Sequence, residues 1–313
     1  MSVLPVALAS RLVLRAEEHR WLVEGLWAEE AVGIVGGEPK CGKSFLALDV
    51  AVAVASGAPC LRRFAVPRPG RVLLYAAEDP LDVVRRRIDG ICRAAGVAID
   101  ALDLHVITTP SLRLDVADDR RDLADTVAAM QPRLLVLDPF VRLHRVDENA
   151  CGDIAPLLAY LRDLQRRHHL AVLVVHHARK GAARLRAGQA LRGSSEFHAW
   201  GDSNLYVRHM GERITLAIEH RAAASRGGIT IALHQSGEAL ALAVVERSET
   251  AAAAPAAHER VERVLAAAAE PLTVAALRAA CRMRTTTLCT ILAGLVRQGR
   301  VRRTAAGYVF FVA

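Results

Sequence analysis

The stretch GGEPKCGKSFLAL (residues 36–48) decides the fold. Gly37, Gly42, Lys43 and Ser44 fit the spacing G-x-x-x-x-G-K-[ST], after the apolar run VGIVG and before SFLALDVAVAVA. A strand, a glycine-rich turn and a helix in that order let backbone N–H groups wrap phosphate oxygens at a helix N-terminus. The ammonium of Lys43 reaches the β- and γ-oxygens, and the Ser44 hydroxyl ligates Mg²⁺. Gly37, Glu38, Pro39, Lys40, Cys41, Gly42, Lys43, Ser44 and Phe45 form the expected nucleotide-binding stretch, with ATP and Mg²⁺ as the bound species.

Such a loop needs an acid at the tip of a neighbouring strand, and RLLVLD supplies Asp138 as the second metal ligand. Hydrolysis also needs a base for the attacking water. Glu78 and Asp79, ending RVLLYAAED, compete for that role, and spacing alone leaves them nearly equal, with Asp79 also able to cap the helix after Pro80. His176 and His177 end LAVLVVHH. Adjacent residues on a strand face opposite ways, so the two cannot easily share a metal, whereas one at the tip can sense a γ-phosphate.

Around this motif, AVGIVGG, RVLLYAAED, LHVIT, RLLVLDP and LAVLVVHH alternate with amphipathic stretches, which predicts α/β architecture: a mostly parallel sheet covered by helices on both faces. SNLYVRHM, ERITLAIEH, GGITIALHQ and ALALAVVER follow closely and predict an antiparallel extension. SETAAAAPAA reads as a linker, placed at residues 248–257. Three helical segments and RVRRTAAGYVFF then give the layout of a winged helix over residues 258–313, with Thr273 as an N-cap and a turn near Ala306 and Gly307. Residues 1–247, including a short N-terminal segment 1–20, form the expected ATPase domain.

Composition excludes several classes. The chain is 52% hydrophobic, yet it has no run of about 18 uncharged apolar residues, so no membrane span is expected. Its N-terminus acquires Glu17 and Glu18 where a signal cleavage site would lie, which points to a cytoplasmic protein. Six scattered cysteines form no C-x-x-C pair and read as small buried or semi-buried apolar residues.

The net charge of +8 is concentrated in residues 258–313, which hold nine arginines against three glutamates. That is the footprint of a nucleic-acid-binding module, with Arg282, Arg284, Arg300, Arg302 and Arg303 as candidate contacts. Residues 178–193 carry Arg179, Lys180, Arg184, Arg186 and Arg192 without an acid, and they begin where the histidine pair ends. A basic loop so placed can grip a single strand in step with hydrolysis.

The order WLVEGLW, GGEPKCGKS, LLYAAEDP, VLDPF, DEN, VVHHARKG, RGSS resembles the RepA-like branch of the RecA-type ATPases, whose best-known members are hexameric plasmid replicative helicases. The match runs over residues 21–245. The resemblance implies Glu78 as catalytic base, Asp138 as Walker B aspartate, and His177 with His176 as the link between nucleotide and DNA loop. It also implies a homo-hexameric ring in which an arginine of the adjacent subunit completes each site, with Arg208 preferred over Arg213 and Arg221. The basic tail departs from the plasmid helicase core. Three readings follow: a ring-forming DNA motor, a nucleotide-switched DNA-binding regulator, and a recombination-mediator or KaiC-like ATPase whose tail contacts protein.

Overall fold

The computed structural model describes residues 4–12, 20–148, 150–177, 194–210, 213–236, 239–245, 257–268, 270–281, 283 and 285–311. They form two compact units, Met1–Val245 and Glu246–Ala313.

The first unit opens with a small hairpin, β1 (Trp21–Val23) and β2 (Trp27–Ala28). It continues through β3 (Val32–Gly37), α1 (Lys43–Ser56), β4 (Val72–Ala76), α2 (Leu81–Ala95), β5 (Leu104–Val106), α3 (Ala117–Met130) and β6 (Leu134–Asp138). Next come α4 (Cys151–His168), β7 (Ala171–His177), α5 (Ser194–Trp200), β8 (Ser203–Met210), β9 (Arg213–His220), β10 (Arg226–Ser236) and β11 (Ala239–Val244). One nine-stranded sheet runs in the order β11-β10-β9-β8-β3-β7-β6-β4-β5. Its last six members pair in parallel.

The central strands are continuous apolar runs because both sheet faces are covered. Their alternation feeds two core layers. Val35, Leu134, Val136, Leu173 and Val175 pack with α1 and α2, whereas Ile34, Leu135, Leu137, Val172 and Val174 pack with α3, α4 and α5. The helix α1 is almost wholly buried, since Ala241 and Leu242 of β11 join its layer. Contact there is backbone-close: a Cβ added at Gly90 of α2 would lie 3.0 Å from the Leu240 nitrogen. The antiparallel strands therefore curl back over the face that carries α1.

Three local expectations need correction. The first concerns SNLYVRHM, which begins no purely antiparallel extension: β8 lies parallel to β3 and only its other edge, against β9, is antiparallel. The long connection holding α5 gives the crossover that parallel pairing requires. The second is Asp79, which does not cap α2; Pro80 is the N-cap residue without a side-chain bond, and Asp79 is drawn to the Arg87 guanidinium. A charged donor outcompetes a backbone N–H for a carboxylate. The third is Cys289, which is exposed, while Cys41, Cys60, Cys92 and Cys281 are buried as expected. The Cys151 side chain lies outside the described residues.

The second unit holds α6 (Ala257–Ala266), α7 (Val274–Cys281), α8 (Thr285–Arg297) and a hairpin of β12 (Val301–Thr304) with β13 (Gly307–Phe310). Val261, Leu265, Leu277, Leu288, Leu292, Leu295 and Val301 form its core. Thr273 Oγ1 accepts the Ala276 N–H at 3.2 Å, the N-cap read from sequence. Leu272, between α6 and α7, exchanges two backbone hydrogen bonds with Tyr308 of the hairpin. Of the expected linker only Ala257, the first residue of α6, is described. Among the described residues no helix is long and apolar enough to cross a membrane.

Candidate nucleotide site

Parallel pairing brings the C-terminal tips of β3, β4, β6 and β7 to one edge of the sheet, where open α/β sheets hold their ligands. From β3 the chain turns through residues 38–42 into α1. Lys40 and Gly42 both take left-handed backbone, with φ of 62° and 93°. Glycine tolerates that conformation at the α1 N-cap, and no side chain caps the helix there. The N–H groups of the first turn are thus left to an anion, and the helix dipole adds to the attraction.

Lys43 is only 4% exposed. Its Nζ donates to the Glu38 carbonyl at 2.7 Å, bridging the loop where a phosphate oxygen would be gripped. Burial pushes its pKa below the ordinary lysine value, against the opposing pull of Cys41, Asp138 and Glu78. The neighbouring Cys41 thiol is raised, again chiefly by burial.

Asp138 ends β6 and is 9% exposed. Burial raises its carboxyl to about 6; the hydrogen bond from the Ser44 side chain opposes this, the Asp79 and Glu78 charges add to it, and Lys43 opposes it. The register Ala76↔Asp138, with Ala77 N–H donating to Asp138 O at 2.7 Å, sets Glu78 and Asp79 just beyond that carboxylate. Arg142, on the turn after β6, donates from Nε to Glu78 at 2.8 Å. Arg87 of α2 binds Asp79 and lies 5.3 Å over the Phe45 ring. The two acids, equivalent by spacing, therefore differ in their partners. Neither arginine was singled out in the sequence, because nothing local in Arg142 or Arg87 announces an ion pair with the β4 tip.

The hydroxyl of Ser44 and the carboxylate of Asp138 are hard oxygen donors joined by a hydrogen bond, and burial, with a smaller push from the Asp79 and Glu78 charges, raises the Asp138 carboxyl to about 6. A divalent cation fits such a pair, and these two residues would hold it. Among the described residues no group of three or more His, Cys, Asp or Glu could hold a metal by itself. A cation here would share oxygens of the nucleotide, as Mg²⁺ commonly does.

The histidine pair splits. His176 lies opposite Gly36 and His177 opposite Gly37 in the β3–β7 register. Alternation gives His177 the face of Leu173 and Val175, which carries α1, and gives His176 the face of α4 and α5. His176 is 1% exposed and stacks on Phe197 at 4.0 Å. It was expected in the site with His177, but the strand's own pleat turns it to the opposite layer.

On the other side of β3, Val207 pairs with Gly37, so Arg208 follows immediately and lies beside the chain's own loop. Arg213 is exposed at the start of β9. Arg221 donates to the Ala199 carbonyl and lies 3.3 Å from Asp202. In the second unit Arg300 pairs with Glu262 at 2.8 Å, Arg302 lies 4.5 Å over the Phe311 ring, and Arg303 is exposed. Arg179, Lys180, Arg184, Arg186, Arg192, Arg282 and Arg284 lie outside the described residues.

Two comparisons bear on the fold and the family. The chain is similar in fold to a DnaB-like replicative helicase solved in a study of its interactions with primase, with a TM-score of 0.53 at 11% identity. The likeness covers 68% of this chain and 57% of that one, so this chain spans little more than half of the helicase's length. At that identity the similarity concerns the fold alone, a RecA-like α/β core with a mostly parallel sheet. A family model described as an AAA domain matches residues 2–183, more than half of the chain. With the phosphate loop, the strand-tip acid and the parallel sheet all present in that region, the chain belongs to the AAA domain family of P-loop ATPases.

Proposed function

We propose that the protein is an ATP-hydrolysing, DNA-associated motor of helicase type, working in the cytoplasm as a ring, most simply of six subunits. The observation that carries this reading is the convergence of Lys43, Ser44, Glu78, Asp138 and His177 on one edge of the sheet.

With ATP bound, the Lys43 ammonium exchanges the Glu38 carbonyl for a phosphate oxygen. Glu78, oriented by Arg142, takes the proton of the water that attacks the γ-phosphorus. Ser44 and Asp138 would hold a divalent cation, which would supply neutralisation of the β- and γ-phosphate charge. His177, facing the loop from β7, senses the γ-phosphate and passes its loss to residues 178–193, whose basic side chains contact single-stranded DNA. Arg208, Arg213 or Arg221 of a neighbouring subunit completes the site. Arg208 remains the preferred finger on resemblance, although in its own chain it borders the local loop, and Arg221 is engaged with Asp202 and Ala199.

The helicase assignment is carried over by analogy from the structural neighbour and from the motif order. Its test is steady-state ATP hydrolysis without DNA, with single strands and with duplex, with Lys43→Ala as the blank. Marked stimulation by single strands is expected, and a rate indifferent to every DNA would overturn the motor reading.

A second reading, a nucleotide-switched DNA-binding regulator, is favoured by the C-terminal unit. Three helices, a hairpin and the Leu272–Tyr308 bridge support a winged helix able to bind duplex, with α8 entering the major groove. Tight duplex binding with DNA-independent hydrolysis would select it.

A further inference from the structure

We propose that Glu148, His144 and Phe197 are positioning residues that aim His177 at the phosphate loop by anchoring His176 on the opposite face of β7. The proposal rests on the sensor role given to His177 above.

A sensor at the last residue of a strand has a weakness. Gly37↔His177 is the final pair of the β3–β7 register. Strand ends fray, and a twist or slip of one residue exchanges the faces of neighbouring side chains. Something must hold the tip, and the hold has to act on the residue next to His177.

His176 is held from three elements. On α5, Phe197 stacks on its ring with centroids 4.0 Å apart and an interplanar angle of 19°. From the turn after β6, Phe140 meets it edge-on at 6.3 Å and also packs edge-on against Phe197 at 5.2 Å. From the β6–α4 connection, Glu148 brings Oε1 to 3.9 Å from His176 Nδ1 and 3.7 Å from His144 Nε2. These last two distances exceed a hydrogen bond and lie within ion-pair reach, so the carboxylate borders both rings and attracts either one when it is protonated. His144 in turn packs on Phe140, 4.7 Å between centroids.

An aliphatic residue would fill the same space, as Val172 and Val174 do lower on the same face. A carboxylate nine-tenths buried beside two imidazoles is costly. What it adds is direction: a ring stacked on Phe197, met edge-on by Phe140 and bordered by Glu148 is restrained from rotating about the strand axis. With His176 fixed, the pleat fixes His177 on the α1 face.

The test is a double-mutant cycle in the full chain. Glu148→Gln, Phe197→Leu and His177→Ala would be made singly, and each of the first two combined with His177→Ala. The readouts are kcat and KM for ATP with single-stranded DNA present, together with melting temperature. Glu148→Gln and Phe197→Leu are each expected to lower kcat about tenfold while KM stays within about twofold, since the sensor acts after binding. Neither should lower kcat further once His177 is alanine. Losses that multiply with that of His177→Ala, or an unchanged kcat in Glu148→Gln, would overturn the proposal. If Phe197→Leu melts below the assay temperature, the isosteric Glu148→Gln cycle decides alone. A wild-type rate in His177→Ala, with Lys43→Ala inactive, would remove the sensor role and this proposal with it, yet leave the ATPase reading intact.

Discussion

The Ser44 side chain at the start of α1 hydrogen-bonds the Asp138 carboxylate at the tip of β6. One bond thus joins the helix that carries the phosphate loop to the strand that carries the acid. Under the proposed function both groups hold the same cation, and this bond would bring them together before any nucleotide arrives. Such preorganisation lowers the cost of binding. It also leaves a buried carboxylate whose charge must be tolerated meanwhile.

That cost has a pH signature. Asp138 titrates at about 6 in the fold against 3.8 as its ordinary value. A carboxyl raised on folding contributes its full share of stability below pH 4 and loses it as pH rises through 6. About two pKa units correspond to roughly 3 kcal/mol at most. Asp138→Asn should therefore melt close to wild type at pH 4 and several degrees above it at pH 8, while hydrolysis is lost. Thermal melts of both proteins at the two pH values check this. Equal melting at pH 8 would mean that the carboxylate carries no desolvation penalty. The Mg²⁺ concentration needed for half-maximal turnover should rise as pH falls below about 6, because a proton then competes with the cation for the Asp138 carboxylate.

Lys43 makes the complementary case. Burial already depresses its pKa, so its charge is held in the loop at a cost. Lys43→Met keeps the length and removes the charge. We expect kcat/KM for ATP to fall at least ~100-fold with no loss of melting temperature, because an apolar replacement of a buried charge is often neutral or stabilising. Hydrolysis kinetics and a melt on the same preparation check this. A Lys43→Met protein that unfolds early would show that the ammonium bond to Glu38 supports the fold instead.

Much of this was legible beforehand because the signals are local. The phosphate loop is one contiguous motif, the strands of the parallel sheet are short apolar runs, and the acids stand where those runs stop. Partners set by tertiary approach were not legible. Arg142 reaches Glu78 across 64 positions of sequence, and Phe197 finds His176 only once α5 packs beneath β7. Resemblance tied His176 to its neighbour, whereas the pleat separates them. For SNLYVRHM the error had another cause: hydrophobic alternation identifies a strand but carries no information on which way its neighbour runs.

The close approach of β8 to β3 gives a stability prediction. A Cβ at Gly33 would overlap the Ser203 carbonyl, a backbone atom fixed at the start of β8. Gly33→Ala must pry two strands apart and should cost on the order of 2–4 kcal/mol in urea melts. Gly90→Ala should differ. Its Cβ would meet Leu240 backbone at 3.0 and 3.2 Å, a tight contact, but alanine gains about 1 kcal/mol of helix propensity over glycine. The two effects nearly cancel, so Gly90→Ala should lie within about 1 kcal/mol of wild type. The reverse ranking would mean that β11 is pinned on α2 more rigidly than β8 on β3.

In the C-terminal unit the three arginines of the hairpin region should not behave alike. Arg300 pairs with Glu262, whose side chain is only 11% exposed, and Arg302 is laid over Phe311. Arg303 is exposed on β12, in register with Tyr308. If the unit binds duplex, Arg303→Ala should weaken binding evenly across sequences and reduce the slope of log affinity against log salt by about 0.9, the loss of one phosphate contact. Arg300→Ala should instead lower the melting temperature, because it leaves the Glu262 carboxylate largely buried without its cation. Fluorescence anisotropy on labelled duplex at several salt concentrations, run on the full chain, separates the two. An unchanged salt slope in Arg303→Ala, with normal melting, would remove the hairpin from the DNA interface. The basic charge of the tail would then serve α8 or a protein partner.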